Sequence, residues 1–331
     1  MTHAQPASSL GSRETTPVRA KPADAAPFVR RRRFMMNAFE RRFLGILLRA
    51  RQEHTWHVIA AAPGSGKSMG IADLLQHTPA RKGPTGRTRL PILASAAVQS
   101  GASQARDLGV RLAAAFGAVP STLTRDHRQA WLVQQCHTTG VELIIIDDAH
   151  ELTLDHLRYL KELTDLLTAV PYDHPVGLCL VSATSGGRLP LQETFRRPEL
   201  IWQQFHRRLD AELPYAVVLN HTEAEVVEIC AGFEDLYREQ FPALELVPYA
   251  ASVYAWLTTP LFDPDRTARV PMDLLEKLIA LALRTAHAEG LPTVTGEVLH
   301  AAAEVLRASR HRTAEVDGEP STWLLGAVEV A

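Results

Sequence analysis

A chain of 331 residues is longer than one ordinary hydrophobic core, which points to a larger domain followed by a smaller one. Hydrophobic residues at 46% and charged residues at 22% describe a soluble globular protein, and a formal charge of −2 excludes a chain-wide field for nucleic acid, so any such contact must come from local patches. No apolar run is long enough to span a bilayer, and the polar, Pro/Ala-rich N-terminus lacks a signal-peptide core; a cytoplasmic protein without membrane contact is expected.

Residues 1 to 27 mix Pro, Ala, Ser and Thr without hydrophobic period and read as a disordered arm. In "FVRRRRFMMNAFERRFLGILLRARQ", Phe39, Phe43, Leu47 and Ala50 recur at helical spacing while Arg41, Arg42, Arg49 and Arg51 lie off that stripe, which predicts an amphipathic helix with a basic face. The run Arg30 to Arg33 could grip DNA or a partner, or serve as a solubilising flank. Strand and helix signals then alternate: strand 57–61, helix 67–76, strand 90–95, helices 102–116 and 126–138, strand 142–147, helix 155–169, and strands 176–183 and 215–219. Such alternation predicts an α/β fold, a parallel sheet with helices on both faces. The basic "PARKGPTGRTR" at 79–89 reads as a surface loop.

After Asn220 the strand signals stop. "TEAEVVEICAGFEDLYREQF", "YAASVYAWL", "MDLLEKLIALALRTAHAEG" and "TGEVLHAAAEVLRAS" predict a small helical domain with Thr222 and Thr295 as N-caps. The expected divisions are 1–27, 28–220, 221–308 and a tail at 309–331, whose apolar "TWLLGAVEVA" either docks a partner or packs back. Cys136, Cys179 and Cys230 are isolated in apolar stretches and read as buried thiols. His150-Glu151 lacks a second histidine four places on, which excludes a zinc-protease helix.

The stretch "VIAAAPGSGKSMG" carries the chemistry. Residues 61 to 68 match the phosphate-binding GxxxxGK[ST] at every defined position but the first, where Ala61 replaces Gly. Gly64 and Gly66 permit positive φ, so in the loop Pro63-Gly64-Ser65-Gly66-Lys67-Ser68-Met69 the backbone N–H groups from Gly64 onward can converge on an anion at a helix N-terminus. Lys67 would reach the β/γ-phosphates of ATP and Ser68 would sit on Mg²⁺. "VELIIIDDAH" supplies the partner motif: a strand buried on both faces that delivers carboxylates to the crevice at its carboxyl end. Asp147 is the expected magnesium-side acid, and Asp148 the group that orients or activates the attacking water.

The order of phosphate loop, acidic strand, "LCLVSAT" strand and trailing helices resembles the AAA+ ATPases, a P-loop three-layer core with a helical lid. The short "IIIDDAH", "LVSAT" and "QQFHRRLDAELP" most resemble the TnsC/TniB group of transposition regulators, relatives of MuB. The likeness covers residues 35 to 308. It implies that Thr184, or else Ser182, is the sensor holding the attacking water, and that Arg207 or Arg208 is an arginine finger delivered to a neighbouring subunit. Arg269 would be the lid's sensor arginine, although Pro271 between it and "MDLLEKL" departs from the pattern. It further implies a homo-oligomer, ring or helical filament, on double-stranded DNA, with a transposase and a target-selection protein of TniQ type as partners. Phosphate-backbone contacts would fall on Gln99, Ser103 and Arg106 after the second strand, and on Thr124, Arg125 and Arg128 entering the next helix; the same residues could equally be solvated helix starts. Asp148 stands where many AAA+ enzymes carry Glu, a side chain longer by one methylene, so slow turnover is expected. A replication loader or initiator, and a signalling switch that does not bind DNA, remain as alternative readings.

Overall fold

The computed structural model describes residues 35–82, 86, 88–97, 105–117, 124–184 and 189–318. The expected arm at 1–27, the arginines 30–33, Gln99, Ser103 and the segment "TWLLGAVEVA" lie outside the described residues.

Five parallel strands form the central sheet: β1 (Trp56–Ala61), β4 (Ile92–Ala96), β5 (Leu143–Asp147), β6 (Gly177–Ala183) and β7 (Tyr215–Val218), in the order β4-β5-β6-β1-β7. Consecutive residues of a strand point to opposite faces, and the two faces carry two different cores. Val58, Ile144, Ile146, Leu178 and Leu180 pack beneath α3 (Ala105–Ala114), α4 (Arg125–Thr139), α5 (Leu154–Thr168), α6 (Pro190–Phe195) and α7 (Leu200–His206). Ile59, Ala61, Leu143, Ile145, Cys179 and Val181 pack beneath α1 (Ala38–Glu53) and α2 (Lys67–His77). The three-layer α/β architecture expected from the alternation is the one observed. The basic 79–89 segment departs from the expected loop: β2 (Arg81–Lys82) and β3 (Thr88–Arg89) pair antiparallel as a minimal hairpin. Helices α6 and α7 were not anticipated, because each is too short for a hydrophobic period to declare itself.

Helix α1 buries the predicted stripe Phe39, Phe43, Leu47 and Ala50 completely. Its other face corrects the expectation of a free basic surface. Arg41 donates to Glu228 (3.0 Å), Arg42 to Glu225 (2.6 Å), Arg49 to Glu212 (2.7 Å) and Arg51 to Glu142 (2.6 Å). The positive charges are thus spent inside the chain, two on the C-terminal helices and two on the sheet layer.

Four helices follow: α8 (Glu223–Tyr237), α9 (Ala250–Leu257), α10 (Met272–Ala288) and α11 (Gly296–Gly318). They share one core running from Val226 to Ala303, built by the stripes of α8 and α10. α11 continues past residue 308 to Gly318, as its Ala-, Glu- and Arg-rich sequence favours. Thr222 caps α8 in a reciprocal box: its hydroxyl accepts from Glu225 N at 3.3 Å, and the Glu225 carboxylate accepts from Thr222 N at 3.0 Å. Thr295 accepts from Val298 N at 3.3 Å. Among the described residues no helix is long and apolar enough to cross a membrane.

Thr222→Ala removes one half of the box that starts α8. Urea unfolding is expected to show a loss of about 1 kcal/mol.

Candidate nucleotide-binding site

Strand β1 lies between β6 and β7 with Ala61 in register with Ala183 and Val218. The chain leaving β1 therefore emerges at the carboxyl edge of the sheet, beside the end of β6, where Thr184 N donates to Ala61 O at 3.1 Å. The turn that follows is possible because Gly64 (φ 73°) and Gly66 (φ 110°) adopt left-handed backbone, and Gly66 becomes the N-cap of α2 without a capping side chain. First-turn N–H groups of α2 are thereby left for an anion, with the helix dipole behind them.

A cleft of about 460 Å³ opens over this turn. Pro63, Gly64, Gly66, Lys67, Ser68 and Met69 form its floor; Asp148, His150 and Ala183 form one wall; Met272, Asp273 and Glu276 at the start of α10 form the other. Larger hollows lie at the opposite end of the strands, one of about 580 Å³ between Arg51, His54, Glu142 and His174, but α/β sheets hold ligands at the carboxyl ends.

The two sequence motifs meet in the cleft. Ser68 Oγ donates to Asp147 Oδ2 at 2.7 Å, so the hydroxyl and the carboxylate expected on one metal ion are already adjacent. Lys67 is 8% exposed, with Nζ donating to the carbonyls of Ala61 (3.2 Å) and Ala62 (3.0 Å). Burial lowers its pKa, an effect that Asp147 and Asp148 partly oppose. Asp148 carries left-handed backbone (φ 54°), a conformation Asp tolerates better than most residues, which turns its exposed side chain into the cleft. His150 accepts from Ala183 N at 3.3 Å and ties the acidic turn to the end of β6. Ser65 is buried and its hydroxyl has no partner among the described residues.

The remaining candidates fall differently. Ser182 is fully buried and donates to Ile59 O at 3.2 Å, so its hydroxyl is used in the sheet; Thr184 is the hydroxyl at the strand end. Arg208 is held by Asp165 through Nη2 at 2.7 and 2.9 Å and by Nη1 to Gln204 O at 2.8 Å. Arg207, at the C-terminal end of α7, is exposed and makes no ion pair among the described residues. Arg269 is turned away from the cleft. The antiparallel bridge between His221 and Val270 presents it to Asn220 O at 3.1 Å, and Pro271 caps α10 before the helix reaches the phosphate loop.

Among the DNA candidates, Arg128 is corrected: it is 2% exposed, packed in the layer of α3 and α5 near Gly109 and Tyr159, and has no access to a phosphate backbone. Thr124 is exposed at the N-cap of α4, with Oγ1 2.9 Å from His127 Nδ1. Arg106 falls in α3 and Arg125 opens α4; their side chains lie outside the described ones.

Sequence reasoning missed the acidic wall. Asp273 N donates to Gly64 O at 3.0 Å, a direct bond from the helical domain to the phosphate loop. An acid in the first turn of α10 is what any helix favours, so "MDLLEKL" gave no sign that it faces a cleft.

Residues 50–185 match the family model described as an AAA domain. Among solved structures, the chain is similar to the ORC2 protein of Aeropyrum pernix in its ADPNP–ADP complexes. The TM-score is 0.53 at 12% identity, covering 81% of this chain and 66%, just under two thirds, of that one. It is also similar to the Aeropyrum pernix ORC1 protein in complex with DNA, with a TM-score of 0.50 at 17% identity over 85% of this chain and 68% of that one. No curated protein matches the sequence significantly. A five-stranded parallel sheet with flanking helices, a phosphate loop leaving its β1 strand and a helical C-terminal region is the AAA+ P-loop fold.

Proposed function

We propose that this chain is an ATP-hydrolysing regulator of DNA transposition that assembles head to tail on duplex DNA and recruits or activates a transposase, with a target-selection protein of TniQ type as a further partner. The observation that carries the ATPase reading is the 2.7 Å contact of Ser68 with Asp147 beside Lys67. The transposition reading rests on the likeness of "IIIDDAH", "LVSAT" and "QQFHRRLDAELP" to that group.

The residues fit Mg²⁺ and ATP. Ser68 and Asp147 are hard oxygen donors side by side, the turn at Gly64 and Gly66 is a ready anion cradle, and Lys67 needs only to leave two backbone carbonyls to meet phosphate oxygens. The metal, when bound, supplies charge neutralisation for the transferred phosphoryl group. Asp148 orients the water and accepts its proton, and Thr184 holds the water from the end of β6. Arg207, exposed and unpaired where Arg208 is committed to Asp165, serves the site of the neighbouring subunit. Head-to-tail packing of this kind closes into a ring or winds into a filament according to the rotation per subunit. The likeness to a DNA-bound ORC1 protein supports DNA as a partner, and equally favours a second reading, a replication loader or initiator.

Lys67→Ala should abolish ATP binding in a fluorescent-nucleotide titration, and Asp148→Asn should keep binding while lowering turnover by roughly a hundredfold or more. Turnover as fast as a processive motor's in the parent protein would contradict the shorter acid's role.

Arg207→Ala is expected to leave stability unchanged and to reduce turnover on the order of a thousandfold at concentrations where subunits associate. Arg208→Ala should instead cost about 1 kcal/mol in urea unfolding, since the pair with Asp165 is only half-buried.

Duplex DNA should be retained on filters only with ATP, with little sequence preference and an affinity that falls steeply with salt. Absence of binding under all conditions would leave the non-DNA switch; stimulation of a transposase by the DNA-bound form would separate the first reading from the loader.

A further inference from the structure

Packed against the phosphate loop stands an acid that the motifs do not mention. Glu40 lies in the first turn of α1, its N–H capped by Asn37 Oδ1 at 3.0 Å, and it is 3% exposed. Its carboxyl group is wedged against the start of α2. Oε1 lies 2.7 Å from where a Cβ on Gly66 would stand, and Oε2 presses on the corresponding position at Gly70. Oε2 is buried and has no hydrogen-bond partner among the described residues. The groups facing it from the packed elements are both acids, Asp73 on α2 and Glu276 on α10.

A buried carboxylate so surrounded is costly. The N-terminal dipole of α2 favours its charged form, yet burial, then Asp73, then Glu276, push its pKa up to about 8. Near neutral pH the group is therefore uncharged, and Gly66 and Gly70 can pack on it. An added negative charge at this place would lie against the helix N-terminus that receives a triphosphate.

We propose that Glu40 is a positioning residue of the phosphate loop: uncharged, it seats Gly66 and Gly70 for nucleotide, and ionised, it opposes the triphosphate through the same helix end. This rests on the reading of the cleft as an ATP site. Because negative phosphates and a negative Glu40 disfavour each other, nucleotide binding above the pKa takes up a proton on the Glu40 carboxylate, and affinity falls as pH rises.

The test is the pH profile, from 6.5 to 9.5, of binding of Mg²⁺ with a non-hydrolysable ATP analogue, measured by calorimetry in buffers of different ionisation enthalpy. For the parent protein the dissociation constant should rise through pH 8, up to about tenfold for a coupling of one pKa unit, with proton uptake on binding. In Glu40→Gln this pH-dependent component should vanish; titration of Lys67 is common to both proteins and drops out of the comparison. Asp73→Asn, which removes a facing charge, should move the midpoint to lower pH, and carries the test if Glu40→Gln fails to fold.

A stability readout runs beside it. A folded-state pKa raised above the ordinary carboxyl value contributes stability that is present below that ordinary value and lost as pH rises through about 8. The melting temperature of the parent should therefore fall relative to Glu40→Gln between pH 5 and 9. Superimposable binding profiles for parent and Glu40→Gln, or an unmoved midpoint in Asp73→Asn, overturn the proposal while the ATP site stands. No analogue binding by the parent at any pH overturns both.

Discussion

The constraint on which the site depends is the passage of the chain from a fully buried parallel strand into a helix. β1 is flanked by strands on both edges and covered on both faces, so its end is fixed in three dimensions, and Ala61 is locked to Ala183 and Val218. Only a backbone that turns left-handed at Gly64 and Gly66 can leave this position and enter α2 with its N–H groups unspent. The parallel partner strands deliver Asp147, Asp148 and Thr184 to the same edge. The chemistry of the cleft is therefore a by-product of strand direction and order.

Charge in the cleft is unbalanced. Among its lining residues Lys67 is the sole Lys or Arg, while Asp148, Asp273 and Glu276 line the walls and Asp147 lies at Ser68. A triphosphate entering such a place needs positive charge from elsewhere. In the proposed assembly the metal held by Ser68 and Asp147 supplies part of it, and the neighbour's Arg207 supplies the rest. Arg208 is committed to Asp165, Arg269 to Asn220, and Lys277, one turn along α10, to Asp273 of the cleft wall. On this reading a single subunit is an incomplete catalyst, and assembly and turnover are coupled.

The sheet was legible because its strands are short apolar runs and, β6 excepted, each is followed by a helix with a readable period; the P-loop and "IIIDD" motifs were legible because their residues act locally, within a turn of backbone. What resisted reading depends on long-range contact. Glu40 stands far from Gly66 in sequence, and nothing in "NAFERRF" distinguishes its acid from an ordinary first-turn carboxylate. Arg41, Arg42, Arg49 and Arg51 read only as the basic face of an amphipathic helix, because Glu228, Glu225, Glu212 and Glu142 are brought to them by the fold. Arg128 reads as a solvated helix start, yet the α3–α5 layer closes over it. Arg269 matches its family position only loosely, with Pro271 intervening, and the His221–Val270 bridge lies beside its bond to Asn220 O.

Helix α1 touches every layer that matters: its first turns are held by the glutamates of α8, its last by Glu142 at the amino edge of the sheet, and its inner face by the core under the phosphate loop. At about 1.5 Å per residue, a helix of 16 residues is a rigid rod of about 24 Å. The segment upstream of the phosphate loop thus bridges the C-terminal helices and the sheet through side chains that belong to neither nucleotide-binding motif.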